Sequence, residues 1–280
     1  MPARAGRRAP FTEFLHLSKA LSVTGLSDIG RVRRRNEDSV SLVPDLGVAV
    51  VADGMGGHPG GDVASQIAAD TAARLLGEAV ASAAGAIDFS RLLRTAMERS
   101  VSGAHAEIRK YGASDPSLDG MGTTLTALVV SPESGAFVVG HVGDSRAYRL
   151  RSGKLTQLTR DDTWIQEQIE RGDISPQNAK RSPYAHLLTQ CLGLEEAPTP
   201  QVLDGVAEPG DAFLLCTDGL VGMLDDDAME RLLSEGLDAG RQHGAGARAA
   251  GVRRLLDAAN EAGGYDNITA ALVSYRGEAS

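Results

Sequence analysis

Four aspartates in this chain sit where an apolar run meets glycine: Asp53 after "VAVVA", Asp144 after "VVGHVG", Asp218 after "FLLCT", and Asp266 just ahead of "NITAALVSY". A single Asp-Gly pair is ordinary turn chemistry, because both residues tolerate the backbone angles of tight turns. Four together constrain the fold far more. Carboxylates gathered at one edge of a sheet repel one another unless a cation lies between them, and hard divalent ions take all-oxygen ligands. Glycine lets a main-chain carbonyl join them. With no histidine or cysteine in the set, Mg or Mn is favoured over Zn, and two such ions about 4 Å apart activate a bridging water for attack on phosphorus. The pattern predicts hydrolysis of a phosphate ester.

Other uses of the glycines fail on spacing. In "VVADGMGGHPGGDVAS", residues 50–65, no glycine is followed by Lys and Ser or Thr, and counting from Gly54 the last glycine of a dinucleotide fingerprint falls on Pro59. Cys191 and Cys216 form no C-x-x-C pair and lack the downstream arginine of a cysteine-dependent phosphatase loop. Cys216, in "FLLCT", reads as a small buried hydrophobe. A serine-hydrolase elbow, G-x-S-x-G, is absent.

A formal charge of -9 argues against nonspecific nucleic-acid binding and means that an anionic substrate must meet local positive charge. "RVRRRNEDS", residues 31–39, supplies it. An arginine there can grip phosphate oxygens through its planar fork while Glu37 points to the metals.

Valine-rich strands are expected at "LGVAVVAD" and "GAFVVGHVGDSRAYRL", joined by hairpins to "MGTTLTALVVS" and "KLTQLT". Helices are expected over 62–80 and 89–109, where Leu93, Met97, Val101, Ala104 and Ile108 recur at helical spacing, and at about 246–262. A polar segment, 161–197, reads as a flap-like insertion over a sheet edge, with Trp164 and Tyr184 as its apolar anchors. His141 alternates within a strand and reads as structural. Residues 1–22 read as a basic, disordered tail. No run reaches the roughly 18 apolar residues of a membrane span, and the cysteine usage fits a reducing cytoplasm.

The ordered set "RxxxNED", "ADGMGGH", "GMGTTLTA", "GDSRAY", "DDT", "CTDGL" and "GYDNIT" resembles the metal-dependent PPM-type protein serine/threonine phosphatases, particularly their stand-alone bacterial branch. The resemblance runs over residues 23–276, leaving 277–280 as a C-terminal tail. It implies an α+β fold: a central β-sandwich of two antiparallel sheets flanked by helices on both faces, a four-layer αββα arrangement with the metal centre at one end. By position, Asp53 bridges two core Mn or Mg ions. The Gly54 carbonyl and a water-linked Glu37 serve one ion, and Asp218 and Asp266 serve the other. Asp144, sharing Asp218, holds a weaker third ion. Arg33 binds the phosphate, and Asp38 supports the water network. Phosphorylated proteins are the implied substrates, including a cognate eukaryotic-like Ser/Thr kinase, for a monomeric enzyme. One departure stands out: the histidine that follows the Asp-Gly pair in animal relatives, credited there as general acid, is Met55 here. His58 and a metal-bound water are the alternative proton donors. A catalytically dead binding module would have lost metal ligands, and Asp53, Asp218, Asp266 and Arg33 are all present.

Overall fold

A computed structural model describes residues 12–277 apart from 18–19, 56–59, 84–88, 180–181 and 244. In chain order the elements are β1 (Thr12–Leu17), β2 (Leu21–Asp28), β3 (Asp38–Val43), β4 (Val48–Asp53), α1 (Gly61–Ala83), α2 (Phe89–Ser114), β5 (Leu125–Val130), β6 (Ala136–Val142), β7 (Arg146–Arg151) and β8 (Lys154–Gln157). They continue as α3 (Trp164–Arg171), α4 (Pro176–Ala179), β9 (Gln201–Val206), β10 (Ala212–Cys216), α5 (Asp218–Val221), α6 (Asp226–His243), α7 (Ala245–Glu261) and β11 (Ile268–Tyr275). The strands form two antiparallel sheets, a six-stranded one in the order β1-β2-β11-β10-β7-β8 and a five-stranded one in the order β3-β4-β5-β6-β9.

Strand periodicity explains why the sheets stack. Side chains alternate between the two faces of a strand, so one buried on both faces reads as a continuous apolar run. In β4, Val48, Val50 and Ala52 face a core shared with α1 and α2, while Ala49 and Val51 face the gap between the sheets. In β10, Ala212, Leu214 and Cys216 meet residues of α6 and α7, while Phe213 and Leu215 enter the inter-sheet core. Three hydrophobic layers therefore separate four structural ones, and the four-layer αββα fold expected from the sequence is the one observed. On α1 the inward stripe is Ala64, Ala68, Ala72 and Leu76, small enough to bring the helix close to the sheet.

Some elements differ from expectation. Residues 12–17 are not tail: they pair as β1 with β2, from Thr12↔Ser27 to Leu17↔Ser22. A ladder satisfies the backbone groups of an edge and needs no apolar pattern in the added strand. Leu21 and Ser22 open β2, and residues 1–11 and 18–19 of the expected tail lie outside the described residues. Strand β3 intervenes between the arginine run and the Asp53 strand. Helix α6 was not anticipated, although Met229, Leu233 and Leu237 recur at helical spacing and pack into the core beneath it. The segment 161–197 links β8, at the edge of one sheet, to β9, at the edge of the other, so it spans both edges rather than one. Its helix α3 starts where Thr163 Oγ1 accepts the Gln166 N–H and ends at Gly172, whose φ is 80°. Trp164 and Tyr184 pack edge to face with centroids 5.5 Å apart.

The Phe137 and Phe213 rings, one from each sheet, meet between the layers at a centroid distance of 4.8 Å. Phe213→Ala should lower the unfolding free energy by about 3–5 kcal/mol in urea titrations, through lost burial and an unfilled cavity. A loss within about 1 kcal/mol would show that the sheets re-close over the gap.

Candidate metal centre

Antiparallel topology brings both ends of the arginine-to-β4 hairpin to one place. Asp38 opens β3 and Asp53 closes β4, and the two residues are register partners. Asp53 is fixed by the "GMGTT" stretch: its N–H donates to Thr124 Oγ1 at 3.0 Å, and its carbonyl accepts from Thr123 Oγ1 at 2.8 Å and Thr124 N–H at 2.9 Å. Gly54 N–H donates to the Glu37 carbonyl at 3.0 Å. A Cβ on Gly54 would lie 2.1 Å from the Gly61 carbonyl oxygen, so only glycine fits beside the aspartate.

From the six-stranded sheet, Asp218 begins α5 directly after β10, and Asp266 immediately precedes Asn267 and β11. Thr217 Oγ1 ties the sheets together here, donating to Asp38 Oδ2 at 2.8 Å and accepting from Thr269 N–H at 3.0 Å. Asp144 sits on the β6–β7 turn, which His141 and Asp162 hold. Asp162 Oδ2 accepts the Gly143 N–H at 3.0 Å, and His141 Nε2 lies 2.9 Å from the Gly143 carbonyl. A carbonyl can only accept, so Nε2 carries the proton and Nδ1 accepts from Thr126 Oγ1 at 2.8 Å. His141 is therefore structural, as expected, and its task is to shape the Asp144 turn.

Arg33, Glu37, Asp53, Asp144, Asp218 and Asp266 line one cleft of about 610 Å³. All six are candidates marked by the sequence. Arg33 donates to Asp266 Oδ2 at 2.6 Å from the rim, with its side chain 42% exposed. Asp38 stands behind Asp53 and is buried. His58 lies outside the described residues. Met55 lines the cleft and offers it no proton.

The charges explain what such a cleft requires. Burial pushes the Asp38 carboxyl up to about 7, over the opposing threonine hydrogen bonds, and Asp218 and Asp266 add to the rise. Burial and then the charge of Asp218 push Asp144 up to about 8. Asp53 rises well above the carboxylate range, by burial first and then by Asp38, Asp218 and Asp144. Burial also raises Glu37. Burial works against charge on Asp218 too, yet contact with His186 holds that carboxylate below its ordinary value. Several carboxyls disfavoured as anions by burial and by one another are a donor set suited to hard divalent cations.

Two residues escaped the sequence reading of the site. His186, from the segment joining the sheets, places Nδ1 3.4 Å from Asp218 Oδ2. Ligand atoms of Asp144, His186 and Asp218 lie within 4.8 Å of one another. Nothing near His186 in the sequence marks it, because only folding of the segment brings it to the cleft. Asn267, quoted within "GYDNIT" but given no role, is a clamp. Its Nδ2 donates to the Ile29 carbonyl at 3.0 Å and the Arg35 carbonyl at 2.8 Å, and its Oδ1 accepts the Glu37 N–H at 2.8 Å.

Carboxylates that need a cation, beside a guanidinium able to hold phosphate oxygens, meet the requirements of metal-assisted phosphate-ester hydrolysis. The comparisons agree with that class. The family model for protein phosphatase 2C matches residues 31–257. The chain is 34% identical over 256 residues to the serine/threonine phosphatase stp of Listeria monocytogenes, covering 88% of this chain and 93% of that protein. It is 36% identical over 244 residues to the serine/threonine protein phosphatase PstP of Mycobacterium tuberculosis, covering 87% of this chain and 43% of PstP. A solved structure of the catalytic domain of PstP with two manganese ions matches with a TM-score of 0.74 at 33% identity, covering 91% of this chain and 98% of that one. The chain belongs to the protein phosphatase 2C family of serine/threonine phosphatases.

The raised carboxyls give the fold a pH-dependent response to metal. A folded-state value above the unfolded one means that the native chain binds more protons, so metal-free stability falls as pH rises from the carboxylate range through about 7 for Asp38 and about 8 for Asp144. A cation offsets the charge that appears. The gain in melting temperature on adding Mg should therefore be larger at about pH 8.5 than at about pH 6. An equal gain at both would mean that these carboxyls do not face the ion.

Proposed function

We propose that this chain removes phosphate from phosphoserine and phosphothreonine in proteins, with two core Mn or Mg ions and a weaker third. The observation that carries the reading is the convergence of Asp53, Asp144, Asp218 and Asp266 with Glu37 and Arg33 on one cleft. When bound, the ions supply a water acidic enough to attack phosphorus near neutral pH. Asp53 would serve both core ions, with the Gly54 carbonyl and Glu37 helping to hold one and Asp218 and Asp266 the other. Asp144, with Asp218 and His186 beside it, holds the third. Arg33 would present its fork to the non-bridging phosphate oxygens. Asp38, bonded to Thr217, steadies the water network behind Asp53.

Leu187, Leu188 and Leu194 give the cleft an apolar wall, which suits a peptide better than a small charged metabolite. The partners that fit are phosphorylated proteins, including the eukaryotic-like Ser/Thr kinase that writes those phosphates, met by a monomer in the cytoplasm. Among the described residues no helix is long and apolar enough to cross a membrane.

The purified, Mn-loaded protein should hydrolyse aryl phosphates and phosphoserine or phosphothreonine peptides, and EDTA should abolish both activities. Arg33→Ala should keep the metals and lose on the order of 10- to 100-fold in kcat/KM, the scale of one charge-assisted contact of about 1.5–3 kcal/mol. No turnover of either substrate would leave only a binding module with a phosphatase fold.

Asp144 separates ion binding from turnover, because its turn stands apart from the β3–β4 pair that carries Asp38 and Asp53. Asp144→Ala should retain two tightly bound Mn ions by calorimetry yet turn over phosphopeptides far more slowly. Loss of the tight sites, or wild-type turnover at saturating Mn, would assign Asp144 to a different role.

A further inference from the structure

Arg34 and Arg35 belong to the run that supplies local positive charge, but neither lines the cleft. In a chain of formal charge -9, with 37 acidic residues against 28 Lys and Arg, arginines usually find carboxylates. These two are exposed and form no ion pair among the described residues. Arg31 differs: its N–H donates to the Gly264 carbonyl at 2.7 Å, and a Cβ on Gly264 would lie 2.8 Å from the Arg31 Cγ, so it is packed on that turn.

The run is not a loose charged loop. Asn267 bonds the carbonyls of Ile29 and Arg35 and the N–H of Glu37, so one side chain fixes the backbone on both sides of the arginines. The position of Arg33 is fixed as well, with its guanidinium on Asp266 at the cleft rim. Arg34 and Arg35 are therefore held next to the group that meets the phosphate, without a carboxylate paired to either among the described residues, although the charge of Arg35 also acts on Glu37. The facing wall, with Leu187 and Leu194, is apolar and exposed.

Spacing sets what they can reach. Consecutive Cα atoms are about 3.8 Å apart, and an extended peptide advances about 3.3 Å per residue. Residues 31–32 and 34–35 are bent rather than extended, so the run lays down no linear register, but the Arg34 and Arg35 Cα atoms still lie within about 8 Å of the Arg33 Cα, which leaves their side chains within reach of peptide positions close to a phosphate on Arg33. We propose that Arg34 and Arg35 recognise a second anionic group within two residues of the phosphoserine or phosphothreonine being hydrolysed. The shared chemistry is a planar guanidinium on a carboxylate or a second phosphate, both of which match its fork. This inference rests on the phosphatase reading and adds the substrate class to it.

The test uses full-length, Mn-loaded protein and three peptides on one backbone. One is singly phosphorylated with neutral neighbours, one has acidic residues flanking the phosphate, and one carries a second phosphate two residues away. Wild-type kcat/KM should be about 10-fold higher for at least one charged peptide than for the neutral one, with the advantage shrinking in high salt. The Arg34→Gln/Arg35→Gln double variant should lose that advantage while hydrolysing a small aryl phosphate at the wild-type rate. The arm that responds identifies a carboxylate or a phosphate as the group read. No preference in the wild type, or the same preference in the variant, overturns the proposal. Difluoromethylene-phosphonate versions of the three peptides, followed by fluorescence anisotropy, give the same ranking without turnover. If no substrate is hydrolysed, the phosphatase reading falls, and the binding ranking still decides whether these arginines select a second charge.

Discussion

Repulsion among buried carboxylates is the constraint around which this molecule is arranged. Asp38, Asp53 and Asp144 are all pushed toward their neutral forms by burial and by charged neighbours. A chain left to itself would separate them. They stay together because each is anchored through its own backbone: Asp53 by Thr123 and Thr124, the Asp144 turn by His141 and Asp162, and Asp38 by pairing with Asp53 across the ladder. Folding the sandwich therefore includes the work of assembling like charges, and a divalent cation relieves it. Metal affinity and fold stability are in this way one coupled quantity.

The sandwich suits this task because its rigidity comes from elsewhere. Two helix-covered faces and an inter-sheet layer carry the burial, so the strand ends need contribute none of it. Asp53 closes a strand, Asp144 and Asp218 each follow one by two residues, Asp38 opens one, and Asp266 lies two residues before another. In antiparallel sheets those positions fall at the same end. The ends can then hold unfavourable groups without loosening the layers behind them, a division that favours preorganised electrostatics.

The carboxylates that converge on the cleft were legible in the sequence because the local pattern marks them. An aspartate at a strand end next to glycine is a local pattern, and the elements that present it, "VAVVAD" and "FLLCTD", are buried on both faces and read as unbroken apolar runs. The four layers followed from the family resemblance, while helical spacing marked α2. What escaped was long-range or pattern-free. Strand β1 exists because β2 offers an edge, which its own residues do not announce. His186 reaches Asp218 only once the segment between the sheets has folded. Asn267 was visible in the sequence, but three hydrogen bonds to main-chain atoms of residues 29–37 are invisible there.

Asn267 also shows how one neutral side chain couples the two halves of the site. It adjoins Asp266, whose carboxylate takes the Arg33 guanidinium, and it holds the backbone on both sides of the arginine run and of Glu37. The loop that carries Arg33 and Glu37 is therefore tied to the turn that carries Asp266. An amide is suited to this because it offers donors and an acceptor without charge, where another carboxylate would deepen the repulsion and a cation would compete with the metal. The placement of Arg33 and Glu37 relative to Asp266 is thus set by hydrogen bonds from one neutral amide to backbone.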